Sequence, residues 1–227
     1  MKKGLLLLLI ALALCLCACG AEAPAEEATA EPEQAATEET AEDTGSMLVI
    51  TQSGWVIDKG YLFYFIDLHN NDSKNGVLYP SFYINARNSE GTLINTYEQT
   101  LSVIYPGEDF YYGSQAFEVT EEPASVEFEV AQPADYNIKP VTSEVKPLKI
   151  VSAVVSGDSV VGEVSNENDE DISMAAVVVL FKDDAGNYVA GNTTYTDNLP
   201  ANGTIPFSVH TYYDFATDNF DVFAYEW

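Results

Sequence analysis

Val177-Val178-Val179-Leu180-Phe181-Lys182-Asp183-Asp184-Ala185-Gly186-Asn187-Tyr188-Val189-Ala190-Gly191-Asn192-Thr193 holds a strand, a turn and a second strand. The β-branched and aromatic run favours extended backbone. Asp184-Ala185-Gly186-Asn187 supplies turn chemistry, with Gly free to take positive φ. Beyond it Tyr188, Ala190 and Asn192 alternate with Val189, Gly191 and Thr193, as in a sheet with one wet face. Working outward, strands are predicted at 148–156, 159–166, 173–182, 187–196, 204–210 and 219–226, with one helical turn near Asp214 to Asp218.

The same text occurs twice, at an offset near 96 residues. Asn70 corresponds to Asn166, each closing a strand and opening a polar loop. Ser81-Phe82-Tyr83-Ile84 falls on Val177-Val178-Val179-Leu180, and Asn88-Ser89-Glu90-Gly91 on Asp183-Asp184-Ala185-Gly186 with a one-residue slip. Ile104 to Gly107 falls on Pro200 to Gly203, Phe110-Tyr111 on Pro206-Phe207, and Val126 to Val130 on Val222 to Glu226. The chain therefore reads as all-β: two tandem immunoglobulin-like β-sandwich domains, 47–138 and 148–227, joined by a short extended link whose Pro140 and Pro147 stiffen it.

Val161-Gly162-Glu163-Val164-Ser165-Asn166, the strand and turn quoted above, and Asn198-Leu199-Pro200-Ala201-Asn202-Gly203-Thr204-Ile205-Pro206-Phe207 together resemble the FxLYD domain. In this chain Val178, Phe181 and Lys182 stand at that motif's Phe, Tyr and Asp. The resemblance covers most of 148–227 and implies an immunoglobulin or fibronectin-type sandwich on an extracytoplasmic lipoprotein. It brings no catalytic residue.

At the other end, Lys2-Lys3 precede an apolar run from Leu5 to Leu16 and small residues ending at Cys19, the layout of a secretory signal, 1–18. Twelve residues of helix rise roughly 18 Å, short of the roughly 30 Å hydrocarbon core of a bilayer. Leu16-Cys17-Ala18-Cys19 resembles the lipobox of bacterial lipoproteins. That resemblance implies that Cys19 becomes the first residue and carries diacylglycerol, with palmitate-type chains that anchor it to the lipid bilayer. The competing reading is an ordinary signal cut near Ala18. From Cys19 to residue 46 follows an acidic linker whose residues 20–46 hold nine acids, no base and no aromatic. Such a segment cannot bury enough apolar surface to fold, so it is expected to be a disordered spacer.

The formal charge of −27, carried by 36 acids against nine bases, excludes nucleic acid as a partner, because binding phosphate depends on Lys and Arg. All three cysteines lie in the leader, so neither a disulfide nor a thiolate nucleophile is available to the folded part. His69 and His210 lie in no sequence pattern for nucleophilic catalysis, and no recognised catalytic motif occurs. The expectation is no enzyme, no cofactor and no metal. The acidic run Asn166 to Asp171 lacks the spacing of a calcium loop.

Aromatics give the best surface hint. Tyr61, Phe63 and Phe65 alternate with Leu62, Tyr64 and Ile66, and Phe110-Tyr111-Tyr112 repeats the effect. One face must be core, and the surplus either contacts a partner or packs on the second copy or on nearby loops. Tyr61, Tyr64, Tyr111 and Tyr112 are the candidate surface aromatics. The role expected is noncatalytic binding or scaffolding at the cell envelope, toward a protein or glycan. The alternative is an accessory enzyme or transport component using a cleft between the domains.

Overall fold

A computed structural model describes residues 46–211 and 219–227. The leader, Cys19, the linker up to residue 45 and the turn expected at Asp214 to Asp218 lie outside the described residues.

The described chain is all-β. Its strands are β1 (Leu48–Asp58), β2 (Tyr61–Asn70), β3 (Asn75–Leu78), β4 (Ser81–Arg87), β5 (Leu93–Thr100), β6 (Val103–Ile104), β7 (Asp109–Glu118) and β8 (Ser125–Val130). A 3-10 turn at Asp135–Asn137 follows, then β9 (Ile138–Pro140), β10 (Lys149–Ser156), β11 (Ser159–Ser165), β12 (Ile172–Lys182), β13 (Tyr188–Leu199), β14 (Thr204–His210) and β15 (Phe220–Glu226). The six strands of the second half lie within a few residues of their expected places. Alternating apolar residues and turn-forming Gly, Asn and Asp sufficed to place them.

All pairing is antiparallel. The first half has sheets ordered β1-β2-β7 and β5-β4-β8, and the second repeats that order as β10-β11-β14 and β13-β12-β15; β6-β3-β9 is a smaller addition to the first half. Asn70 and Asn166 play one role in both halves. Each is fully buried, and each amide nitrogen donates to two stretches of backbone: Asn75 O and Ile104 O for Asn70, Glu170 O and Leu199 O for Asn166.

Counting from the turns corrects the expected register. The Asn88 amide bonds Thr92 O and the Asp183 amide bonds Asn187 O, so Arg87 is equivalent to Lys182. Phe82 and Ile84 thus correspond to Val177 and Val179, not to Val178 and Leu180. The burial agrees: Phe82 and Ile84 fill the first half's core, and Val177 and Val179 the second's. In a strand a one-residue error exchanges the faces, so the slip must lie in the loop before this strand.

The two halves do not stand apart. Every described residue belongs to one compact unit, and β13 packs against β1, β2 and β7. Val178, Leu180 and Tyr225 sit in the first half's apolar cluster, while Val56 and Phe63 sit in the second's. This is why β2 is apolar on both faces. Leu62, Tyr64, Ile66 and Leu68 fill their own sandwich, and Phe63 and Phe65 lie on the face that meets the other half. The strand equivalent to β2 is β11, where Ser159 and Val161 replace Phe63 and Phe65.

Where β13 meets β7, Gly113 and Gly191 bring backbone against backbone. A Cβ on Gly191 would lie 2.9 Å from Gly113 Cα and 2.5 Å from Leu180 Cδ2. The outer edge of β7 is closed by side chains from the second half. The Tyr111 amide donates to Tyr225 Oη at 2.9 Å, and Thr193 Oγ1 donates to Gly113 O at 2.8 Å. Satisfying an edge in this way removes a template for further strand pairing.

Candidate functional site

The expected surface aromatics do not form a surface. Tyr64 is 0% exposed and Tyr112 3%, so both leave that set. Tyr64 lies among the rings of Phe82, Tyr97, Tyr112 and Phe128, at 5.9 to 6.4 Å between centroids. The Tyr112 hydroxyl meets that of Tyr195 at 2.9 Å, and its ring stacks on Trp227 at 5.8 Å. Tyr111 is half-buried and stacks on Phe223 at 4.2 Å. Burial, with the Asp67 charge, pushes its hydroxyl up to about 12. Tyr61 alone is exposed, at the first position of β2. Three of the four rings are thus packed, and two of those, Tyr111 and Tyr112, against the second half.

Neither histidine is isolated. His69 Nδ1 meets Asp109 Oδ1 at 2.6 Å. His210 Nδ1 is approached by Ser159 Oγ at 3.4 Å and by Asp158 Oδ1 at 3.5 Å. That trio brings together the residue types of a hydrolytic triad without its geometry. A relay needs the serine on one ring nitrogen and the carboxylate on the other, and here both approach Nδ1.

The loop Asn166 to Asp171 uses side-chain oxygens to accept backbone amides of its own and of neighbouring segments. Asn168 Oδ1 accepts from the Lys146 amide at 2.9 Å and Asp171 Oδ1 from the Ala201 amide at 2.8 Å. Among the described residues no group of three or more His, Cys, Asp or Glu is arranged to hold a metal ion.

A concave site appears instead where the halves and their connector converge. The turn from Tyr105 to Glu108, the connector from Val145 to Leu148, and Ala224 to Glu226 of β15 enclose a cavity of about 260 Å³. It adjoins a shallower trough of about 550 Å³ past Asp109 and Phe223. The connector is fastened to the second half, because Asn168 Nδ2 donates to Lys146 O at 2.9 Å and so completes a reciprocal pair with the Lys146 amide. Tyr225 forms part of the cavity wall while its ring stacks on Phe110 at 3.9 Å.

Three groups set the electrostatics. Tyr105 donates to Glu226 Oε2 at 2.5 Å, and burial together with that carboxylate holds the phenol well above its ordinary range. Glu108 Oε2 accepts from the Tyr105 amide at 2.8 Å. Burial pushes the Glu108 carboxyl up to about 7; the Tyr105 amide pulls the other way, and the Asp109 and Glu226 charges add to the rise. A carboxyl poised there can exchange a proton or seat a cation. No His, Ser, Thr or Cys lines this cavity among the described residues; its polar side chains are those of Tyr105, Glu108, Lys146, Asn168, Tyr225 and Glu226.

Sequence reasoning did not single out Tyr105, Glu108, Tyr225 or Glu226. Tyr105 was visible only as part of a turn landmark, and Glu108 is one of 36 acids. Compared with known proteins, the chain matches no family model and no curated protein.

Proposed function

We propose that this chain is an extracytoplasmic lipoprotein, anchored to a bilayer through acylated Cys19, with a noncatalytic binding or scaffold role at the cell envelope. On this reading it consists of two immunoglobulin-like sandwich modules in tandem, the second FxLYD-like, carried on an acidic spacer. The observation that carries the binding role is the cavity at the junction, where a core shared by both halves holds Glu108, Tyr105 and Tyr225 around one hollow. Preorganised concave sites with a few converging polar groups are where ligands bind.

The test has two arms in a bacterium expressing the full chain. Mass spectrometry of the mature product is expected to find a diacylated residue 19, and Cys19→Ala is expected to release the protein from membranes. A photocrosslinking residue at position 105 is expected to capture an envelope component that one at Tyr61 does not. An unmodified Cys19 overturns the address, and absence of any position-specific adduct overturns the binding role. The second reading, an accessory enzyme or transport component, draws on the poised Glu108 carboxyl. It requires turnover or passage of a substrate that Glu108→Gln abolishes.

A further inference from the structure

We infer that the junction cavity is a seat for an alkylammonium group, a primary amine on an apolar stem, held by the Glu108 carboxylate and flanked by Glu226. The inference rests on the binding role proposed above and adds the chemistry of the ligand.

The lining comes first. Leu148, Ile172, Ala224 and the ring of Tyr225 supply apolar wall, while Glu108 and Glu226 supply charge. A hollow of about 260 Å³ has room for a short chain, and the adjoining trough has room for what carries it. A stem on the wall with an ionic tip at the carboxylates fits that division.

The charges come second. The ionised neighbours that act on Glu108 are Asp109 and Glu226, both negative. Lys146, on the wall, donates its Nζ to Glu167 O at 2.9 Å, and Lys149, at the start of β10, has its Nζ 3.7 Å from Glu167 Oε1. The other titratable groups on the walls are the phenols of Tyr105 and Tyr225, held protonated by burial. Although Lys146 lines the cavity, no lysine is among the charges that act on Glu108, so that carboxyl lacks a countercharge from the described residues and a cation is what it calls for. Glu108 Oε2 is taken by the Tyr105 amide, and no bond from the described residues reaches Oε1. A tyrosine ring adjoining an ammonium adds cation–π attraction.

The experiment titrates the full chain, in nonionic detergent, with pentylammonium chloride and with a blocked glycyl-lysyl-glycine tripeptide, and follows heat. The same tripeptide with its lysine Nε-acetylated serves as the neutral control. Saturable 1:1 binding of an amine is expected, weakened at least tenfold by Glu108→Gln and several-fold by Glu226→Gln. Tighter binding of the tripeptide than of pentylammonium assigns the amine to a lysine side chain of a partner, and the reverse order assigns it to a free amine. The inference is overturned by no saturable heat from either amine, by equal binding of the acetylated control, or by an affinity indifferent to both substitutions. Glu226→Gln decides the matter if Glu108→Gln fails to fold. If amines fail while the position-105 crosslink persists, the cation seat falls and the binding role stands; loss of both removes the role as well.

Discussion

Gly113 of β7 and Gly191 of β13 meet with no side chain between them, and this contact draws the two halves into one body. A methyl group at position 191 would sit 2.9 Å from Gly113 Cα and 2.5 Å from Leu180 Cδ2. Overpacking a close contact costs about 1–3 kcal/mol. Gly191→Ala is therefore expected to lower the unfolding free energy obtained from a urea titration by that amount, and Gly191→Val by more. Wild type is expected to unfold in one transition that calorimetry and fluorescence report together, since neither half keeps a complete core alone. Two separate transitions would refute the shared core.

Asn70→Ala and Asn166→Ala are expected to be among the more damaging polar substitutions. Each removes the amide that ties two backbone stretches together and leaves buried carbonyls unpaired. Each orphaned group costs roughly 1–3 kcal/mol, so a loss of about 3 kcal/mol is expected at either position by chemical denaturation. A loss confined to one position would mean that the two asparagines are not equivalent.

Tyr225→Phe keeps the stack on Phe110 and deletes only the oxygen that accepts the Tyr111 amide. The expected cost is about 1–3 kcal/mol, together with faster hydrogen exchange at Tyr111. Unchanged exchange at that amide would show that the β7 edge is closed by something else.

Stability is expected to fall between mildly acid and neutral pH on account of Glu108. Its carboxyl titrates at about 7 in the folded chain against an ordinary 4.5, so the folded state holds the proton more tightly. The contribution is complete below about 4.5 and is lost as pH rises through about 7. Allowing for partial solvent screening, its size is on the order of 2 kcal/mol. Asp67, also raised by burial, bends the profile the same way. The difference between wild type and Glu108→Gln isolates the Glu108 share, and parallel profiles for the two would contradict it.

The strands were legible because each states its own pattern: Val177 to Phe181 and Tyr188 to Thr193 name their elements without help from the rest of the chain. The two asparagines were legible as landmarks because both copies carry them. The register of β4 was not, because a loop one residue longer leaves no mark in the strand it precedes. The second packed face of β2 was half-legible: Phe63 and Phe65 announced that something covers them, and only the fold says it is β13. The cavity was out of reach. Tyr105 and Glu226 lie 121 positions apart, and no local pattern distinguishes an acid that tertiary structure will bury from one left in water.

Phe63 and Phe65 gave way to Ser159 and Val161 in the strand that repeats theirs, and Gly113 has Ser208 as its counterpart. That surface of the second half offers one hydroxyl and one isopropyl group in place of two rings, and a Cβ where close approach demands none. The face on which the first half receives the second is thus not repeated on the second half, and the two units are alike in topology without being interchangeable.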